Sequence, residues 1–184
     1  MSYLNNFSLE GKVALVTGAV HGIGFAIAEA YAACGAKVIF NCLTEAELER
    51  GLANYAAKGI EAKGYVCNVA DENAVEAMVA DINEKFGGVD ILVNNAGIIK
   101  RIPMHEMTRA EFQLVIDIDL VAPFIVSKAV LPSMMKKNAG KIINICSLTS
   151  EFGRETVSAY AAAKGGLKLL TKNICSEYGE YNIQ

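Results

Sequence analysis

The chain has 184 residues, 53% of them hydrophobic, with 17 basic against 20 acidic side chains and a formal net charge of −3. That length and apolar content suit one globular domain with a sizeable core, and the interspersed, mildly acidic charge argues against a basic groove for nucleic acid. Five scattered cysteines (Cys34, Cys42, Cys67, Cys146 and Cys175) without a Cys-x-x-Cys pair, and only two histidines, offer little to a disulfide framework, a zinc cluster or a histidine-based triad, so no metal site is expected.

Met1 to Glu10 lacks a basic start and an apolar core, so no secretory signal is read there, and a cytoplasmic protein with reduced thiols is expected. Lys12–Thr17 then reads as a first strand, and it runs into the glycine-rich Thr17-Gly18-Ala19-Val20-His21-Gly22-Ile23-Gly24, which opens a helix over Gly22–Cys34. Further strands are predicted at Lys37–Asn41, Gly64–Val69, Asp90–Asn94 and Lys141–Ser147, with helices between them at Glu45–Lys58, Glu72–Phe86 and Thr108–Lys137. Pro123 and Pro132 fall inside the last of these, where a ring without an N–H bends or shortens a helix. Its apolar stretch, Leu120 to Leu131, holds Ser127 and Lys128 and is too short to span a bilayer. A final helix is predicted from about Thr156 to Tyr178.

Strand-helix alternation implies right-handed crossovers and an α/β fold, a doubly wound parallel sheet of about five strands with helices on both faces. The near-continuous apolar character of the strands fits a sheet covered on both sides. No internal repeat or linker interrupts the pattern, so residues 1–184 read as a single domain. The chain stops at Asn182-Ile183-Gln184, where an alternating fold would begin another strand, so the domain reads as incomplete at its C-terminus. Strand five is then expected to carry Ile142, Ile143 and Ile145 along a bare edge, a feature that invites pairing with another chain.

Two groups of residues carry chemistry. In the turn after strand one, glycines permit a tight bend and close backbone approach to a pyrophosphate, and a helix N-terminus presents free N–H groups to it. Such loops also serve as plain turns; the strand-turn-helix setting is what favours a nucleotide. Downstream, Tyr160 and Lys164 stand four apart, a step that turns a helix by about 400° and rises about 6 Å, so both share one face. Phenols titrate near pH 10, and a neighbouring ammonium favours the phenolate; Ser147, at the end of an apolar run, offers a hydroxyl to a substrate oxygen. The bland alternatives are a strand end or turn cap for Ser147, a solvated helix lysine for Lys164, and loop-backbone partners for Asn94 and Asn95. His105 is expected to be a surface or packing residue rather than a catalyst.

With Thr17–Gly24, Asn94-Asn95-Ala96-Gly97 after strand four, Ser147 and Tyr160-x-x-x-Lys164 in this order, the chain resembles the short-chain dehydrogenase/reductase family along its whole length. The stretches from Ile99 to Met107 and from Ser150 to Tyr160 look like the gluconate 5-dehydrogenase branch of it. The resemblance implies a Rossmann-like fold binding NAD or NADP at the carboxyl ends of the strands. Ser147 would hold the substrate oxygen, Tyr160 would act as general acid/base, and Lys164 would hold the nicotinamide ribose and assist the phenol. The family's catalytic Asn falls on Asp119, where a carboxylate near Lys164 would stabilise the ammonium. The cofactor would lie along Gly18, Val20, His21, Gly22, Ile23 and Gly24, then Asn68 and Val69, then Asn95, Ala96 and Gly97, and against Tyr160 and Lys164. A small-molecule substrate, a sugar acid or related polyol, and a homo-oligomer are implied, without nucleic acid or membrane as partners.

Several positions depart from the family's pattern. Relatives continue for several dozen residues into a sixth strand, a substrate-covering loop and a seventh strand. Asn41-Cys42-Leu43-Thr44 holds neither the acid that meets the ribose of NAD nor an Arg for a 2′-phosphate, which leaves NAD against NADP open. Asn68 stands for the Asp that meets the adenine amino group, and Val20 for a small hydroxyl residue. Arg101 and Arg154 are candidates to meet a substrate carboxylate, with a surface ion pair as the alternative, for Arg154 with Glu151 or Glu155. The expected function is interconversion of a secondary alcohol and a ketone on a sugar acid such as gluconate/5-ketogluconate. The alternative is a catalytically inactive nucleotide-binding or self-associating module.

Overall fold

A computed structural model describes residues 7–184, so the first six residues of the Met1–Glu10 stretch lie outside the described part. Five strands, β1 (Val13–Val16), β2 (Lys37–Cys42), β3 (Ala62–Val66), β4 (Ile91–Asn94) and β5 (Lys141–Asn144), form one parallel sheet in the order β3-β2-β1-β4-β5. Register is in step from Val13 beside Lys37 to Ala14 beside Ile91 and Ile91 beside Lys141. The direction of winding reverses between β1 and β4, which opens a crevice outside their carboxyl ends, where ligands of such sheets bind.

Alternation along each strand divides the core between the two faces. Val13, Leu15, Ile39, Leu92 and Ile142 pack under α3 (Glu72–Phe86) and α5 (Ala122–Lys137), whereas Ala14, Val16, Val38, Phe40 and Val93 pack under α1 (Gly22–Ala33) and α2 (Glu45–Ala56). The second face is covered less completely, and Ile143 of β5 is 41% exposed there. Helix starts follow local chemistry: Thr44, Asp71 and Thr108 each accept an N–H from the first turn of the helix that follows, α4 (Arg109–Ile116) in the case of Thr108.

The structure corrects the sequence reading in four places. The helix expected over Thr108–Lys137 is α4, then a single π turn at Asp117–Val121, then α5. Pro123 sits in the first turn of α5, directly after the π turn, and Pro132 is accommodated inside the helix. The last helix, α6, spans Ser158–Tyr178, because Thr156 takes φ +65, a left-handed conformation outside any helix. β3 begins at Ala62 rather than Gly64, and β5 ends at Asn144 rather than Ser147. The edge of β5 is also partly occupied: Ile142 N–H donates to the Gln184 carbonyl at 2.8 Å, Gln184 N–H to Gly140 at 3.1 Å, and Ile183 is buried.

Candidate active site

Among the described residues the buried polar or charged side chains are Thr17, Asn41, Asn94, Asp119, Ser127 and Lys164. All of them stand at, or pack against, the carboxyl end of the sheet. Polar groups taken out of water must be bonded to something, so this cluster marks the place where the fold invests structure in orientation.

The glycine turn is held from three sides. Gly18 N–H donates to Asn41 Oδ1 at 3.0 Å, and Asn41 Nδ2 passes to the Cys67 carbonyl at 2.8 Å, so the ends of β1, β2 and β3 are joined. Tyr55 of α2 donates its hydroxyl to the Ala19 carbonyl at 2.7 Å, and burial pushes that phenol up from its ordinary value. Thr17 Oγ1 accepts the N–H groups of Asn95 (2.9 Å) and Ala96 (3.0 Å). Gly18 has φ +63 and a Cβ there would lie 3.0 Å from Ala96 Cα, while a Cβ on Gly24 would lie 2.4 Å from Asn95 Nδ2. Unlike the three capped helices, α1 has no side chain on its first N–H groups, His21 occupying the cap position without such a bond. Free N–H groups behind a bare glycine bend fit a phosphate-bearing ligand, and Gly22, with nothing within 4 Å of a Cβ, leaves the approach open.

Around the turn, Val20 is buried and offers only its carbonyl, to Asn54 Nδ2 at 3.2 Å, and Ile23 is 67% exposed. Asn68 uses its Oδ1 on the N–H of Ala70 at 3.1 Å, a local turn bond at the end of β3, with Val69 buried beside it. Asn94 turns inward: its Nδ2 reaches Asn144 Oδ1 at 2.8 Å, Ser127 Oγ at 3.1 Å and the Pro123 carbonyl, tying β4 to β5 and α5.

On the other side of the crevice, α6 carries Tyr160 and Lys164. The Lys164 ammonium is buried, donates to the Ile145 carbonyl at 2.9 Å, lies 3.2 Å from Asp119 Oδ2 and sits 5.6 Å from the centre of the Tyr160 ring. Asp119 is fully buried on the π turn and accepts the Ile98 N–H at 2.8 Å through Oδ1, while the ammonium beside Oδ2 makes a charge contact without hydrogen-bond alignment, leaving that oxygen without a directional partner. Burial pushes the Asp119 carboxyl up from its ordinary value, opposed by the Ile98 N–H and by Lys164. Ser147 is half-buried at the head of a 3-10 turn, Leu148–Ser150, that packs on α6; its Oγ accepts from Thr149 N and Thr149 Oγ1 at 3.2 and 3.0 Å.

Arg101 and Arg154 are both exposed, and their segments are brought together by Ile102 N–H donating to the Thr156 carbonyl at 2.8 Å. The ion pair considered for Arg154 is not formed with Glu151, which pairs with Lys168 instead. Gly97 is exposed beside Asp119, and Met104, Leu148 and Phe152 are 79%, 81% and 68% exposed on the neighbouring loops. The crevice is therefore an open shelf, and the larger hollows lie elsewhere, such as one of about 410 Å³ between α5 and α6. His105 is on the surface, 3.4 Å from Glu106. The bonding roles of Asn41, Tyr55 and Asn144 were missed by sequence reasoning; for the two asparagines the usable signal was an amide ending the apolar runs Val38–Phe40 and Ile142–Ile143.

The family model for short chain dehydrogenases matches residues 12–184, a span that includes all the motifs just described. The chain belongs to the short-chain dehydrogenase family. It is 52% identical over 179 residues to a 2-dehydro-3-deoxy-D-gluconate 5-dehydrogenase of Formosa agariphila, covering 97% of this chain and 68% of that protein. Among solved structures, 2-keto-3-deoxy-D-gluconate dehydrogenase of Streptococcus agalactiae is 63% identical with a TM-score of 0.84, across 98% of this chain and 68% of the other. A gluconate 5-dehydrogenase of Burkholderia cenocepacia, solved with NADP and tartrate, is 36% identical with a TM-score of 0.92, across 98% and 71%. No described helix of this short-chain dehydrogenase is long and apolar enough to cross a membrane, and no described cluster of three His, Cys, Asp or Glu could hold a metal ion.

Proposed function

We propose that this protein is an NAD(P)-dependent oxidoreductase that interconverts a secondary alcohol and a ketone at carbon 5 of a six-carbon sugar acid. Gluconate and its 2-keto-3-deoxy analogue are the first candidates, since relatives named for them are 36% and 52% identical to this chain. One observation carries the reading: Lys164, Tyr160 and the Ser147 turn meet on one side of a crevice whose other side is a bare glycine bend clamped to β4. Residues 1–184 act in it as one dinucleotide-binding domain.

When bound, the nicotinamide supplies the hydride acceptor or donor. Gly18, His21, Gly22, Ile23 and Gly24 would hold the pyrophosphate, with Val20 packed behind them. Asn68 and Val69 would border the adenine, and Asn95, Ala96 and Gly97 the nicotinamide half. In the direction of oxidation, Tyr160 takes the hydroxyl proton as the carbon gives up its hydride, and Ser147 Oγ holds the oxygen as it becomes a carbonyl. Lys164 supplies positive charge beside the phenol and a donor for the ribose. Arg101 and Arg154, on joined loops at the mouth, would meet the substrate carboxylate.

The test is spectrophotometric. The 184-residue chain mixed with gluconate or 2-keto-3-deoxygluconate and either NAD or NADP should form reduced nicotinamide, and Tyr160→Phe should lose about 10²–10⁴-fold in kcat while still binding cofactor. Tight cofactor binding without turnover on any sugar acid would instead favour the inactive nucleotide-binding module.

A further inference from the structure

Ser147 stands between two contacts with α6. Two residues before it, the Ile145 carbonyl takes the Lys164 ammonium at 2.9 Å; three residues after it, the Ser150 carbonyl lies 4.0 Å from where a Cβ on Gly165 would be. The turn also closes on itself. Ser147 N–H donates to Ser150 Oγ at 3.2 Å, and Ser150 N–H returns to the Ser147 carbonyl at 3.0 Å. With φ −149 and ψ 163 the Ser147 backbone is extended and held from both sides. What the backbone leaves free is the torsion of the hydroxyl, which decides whether the oxygen gives or takes a proton.

Thr149 addresses that oxygen twice. Its N–H donates to Ser147 Oγ at 3.2 Å, and its hydroxyl donates to the same atom at 3.0 Å. A hydroxyl has two acceptor lone pairs and one proton, so two donated bonds fill both lone pairs. Ser147 then has only its own proton to offer. The Thr149 N–H alone would fill one lone pair and leave the other open to water or to a substrate hydroxyl. The Thr149 side chain is therefore what closes the accepting side of Ser147.

We propose that Thr149 is a positioning residue that makes Ser147 a one-way donor toward the substrate oxygen. The inference rests on the proposed function for its catalytic consequence, although the polarity of the Ser147–Thr149 bond does not. A ketone oxygen can only accept, and an alcohol that gives its proton to Tyr160 uses its oxygen to accept from Ser147. Both directions of the reaction thus need Ser147 as the donor. A hydroxyl already turned that way need not reorient as charge develops on the substrate oxygen. The donated bond strengthens as that oxygen gains negative charge, so Thr149 acts on kcat more than on KM.

Thr149→Val keeps the shape and the N–H but removes the second donor. It should lower kcat about 2–10-fold, the size of one net hydrogen bond, with little change in KM or in a reduced-nicotinamide fluorescence titration. Thr149→Ser, which restores a hydroxyl, should recover the rate. An unchanged or raised kcat in Thr149→Val overturns the proposal, because Ser147 would then have been giving its proton to Thr149. A loss that Thr149→Ser fails to recover marks a merely structural role and overturns it as well. Neutron diffraction from deuterium-exchanged crystals of the unmutated chain reads the polarity without turnover. The Thr149 hydroxyl deuteron should point at Ser147 Oγ, and the Ser147 deuteron away from Thr149; the reverse order overturns the proposal. If the unmutated chain turns over no sugar acid, the redox reading fails while the deuteron positions still decide the polarity.

Discussion

Asn95 is bonded to Thr17 through both its backbone and its side chain: its N–H reaches Thr17 Oγ1 and its Nδ2 reaches the Thr17 carbonyl, each at 2.9 Å. A single threonine at the end of β1 therefore fixes the turn after β4 to the glycine turn. Thr17→Val keeps the shape but leaves the buried N–H groups of Asn95 and Ala96 without an acceptor. About 1–3 kcal/mol of stability should be lost, read by urea denaturation, and reduced-nicotinamide fluorescence titration should show weaker cofactor binding.

Gly24 faces that clamp from α1. A methyl group there would press to 2.4 Å on Asn95 Nδ2 and 3.0 Å on the Ala19 backbone, and backbone does not yield cheaply. Gly24→Ala is expected to cost about 1–3 kcal/mol. Cofactor binding, read by reduced-nicotinamide fluorescence titration, should weaken with it, and an unchanged affinity would count against the clamp.

Asn94 should not tolerate the carboxylate of the same shape. Its Nδ2 donates toward three acceptors, with Asn144 Oδ1 nearest at 2.8 Å, and Asn144 in turn donates to Thr171 Oγ1 on α6. Asn94→Asp places acceptor against acceptor in a buried site. A loss of about 2–3 kcal/mol in thermal or urea unfolding is expected, and an unchanged midpoint would count against the network.

Away from the site, Asp81 predicts the sign of one pH effect. Hydrogen bonds from Lys85 and then from the Tyr65 hydroxyl hold its carboxyl below the ordinary value of 3.8. A depressed folded-state value means stability that is present above the unfolded-state value and lost as pH falls through the folded one. The difference in melting temperature between the unmutated chain and Asp81→Asn should thus hold steady at neutral pH and shrink on acidification below about pH 4.

Several features were legible before any coordinates. Near-continuous apolar runs between helical segments pointed to the parallel α/β sheet, because strands covered on both faces must be apolar throughout. Glycines at 18, 22 and 24 announced a turn that side chains would obstruct, and the four-residue spacing of Tyr160 and Lys164 put them on one helical face. The π turn was not legible, since Asp117–Val121 continues a helical pattern and differs from it only in which carbonyl each N–H reaches. Nor was the inward orientation of Asn94, which depends on Asn144, fifty residues away.

The order of residues along the chain determined the elements, the fold class and the family, because each follows from local periodicity or from short motifs read within one segment. Only the tertiary structure decided that Asn41 holds the glycine turn, that Asp119 meets Lys164, and that the Arg101 and Arg154 loops adjoin. Those relationships join segments from 23 to more than 50 residues apart, and burial then gives charge contacts and hydrogen bonds between them a strength that spacing in sequence cannot express.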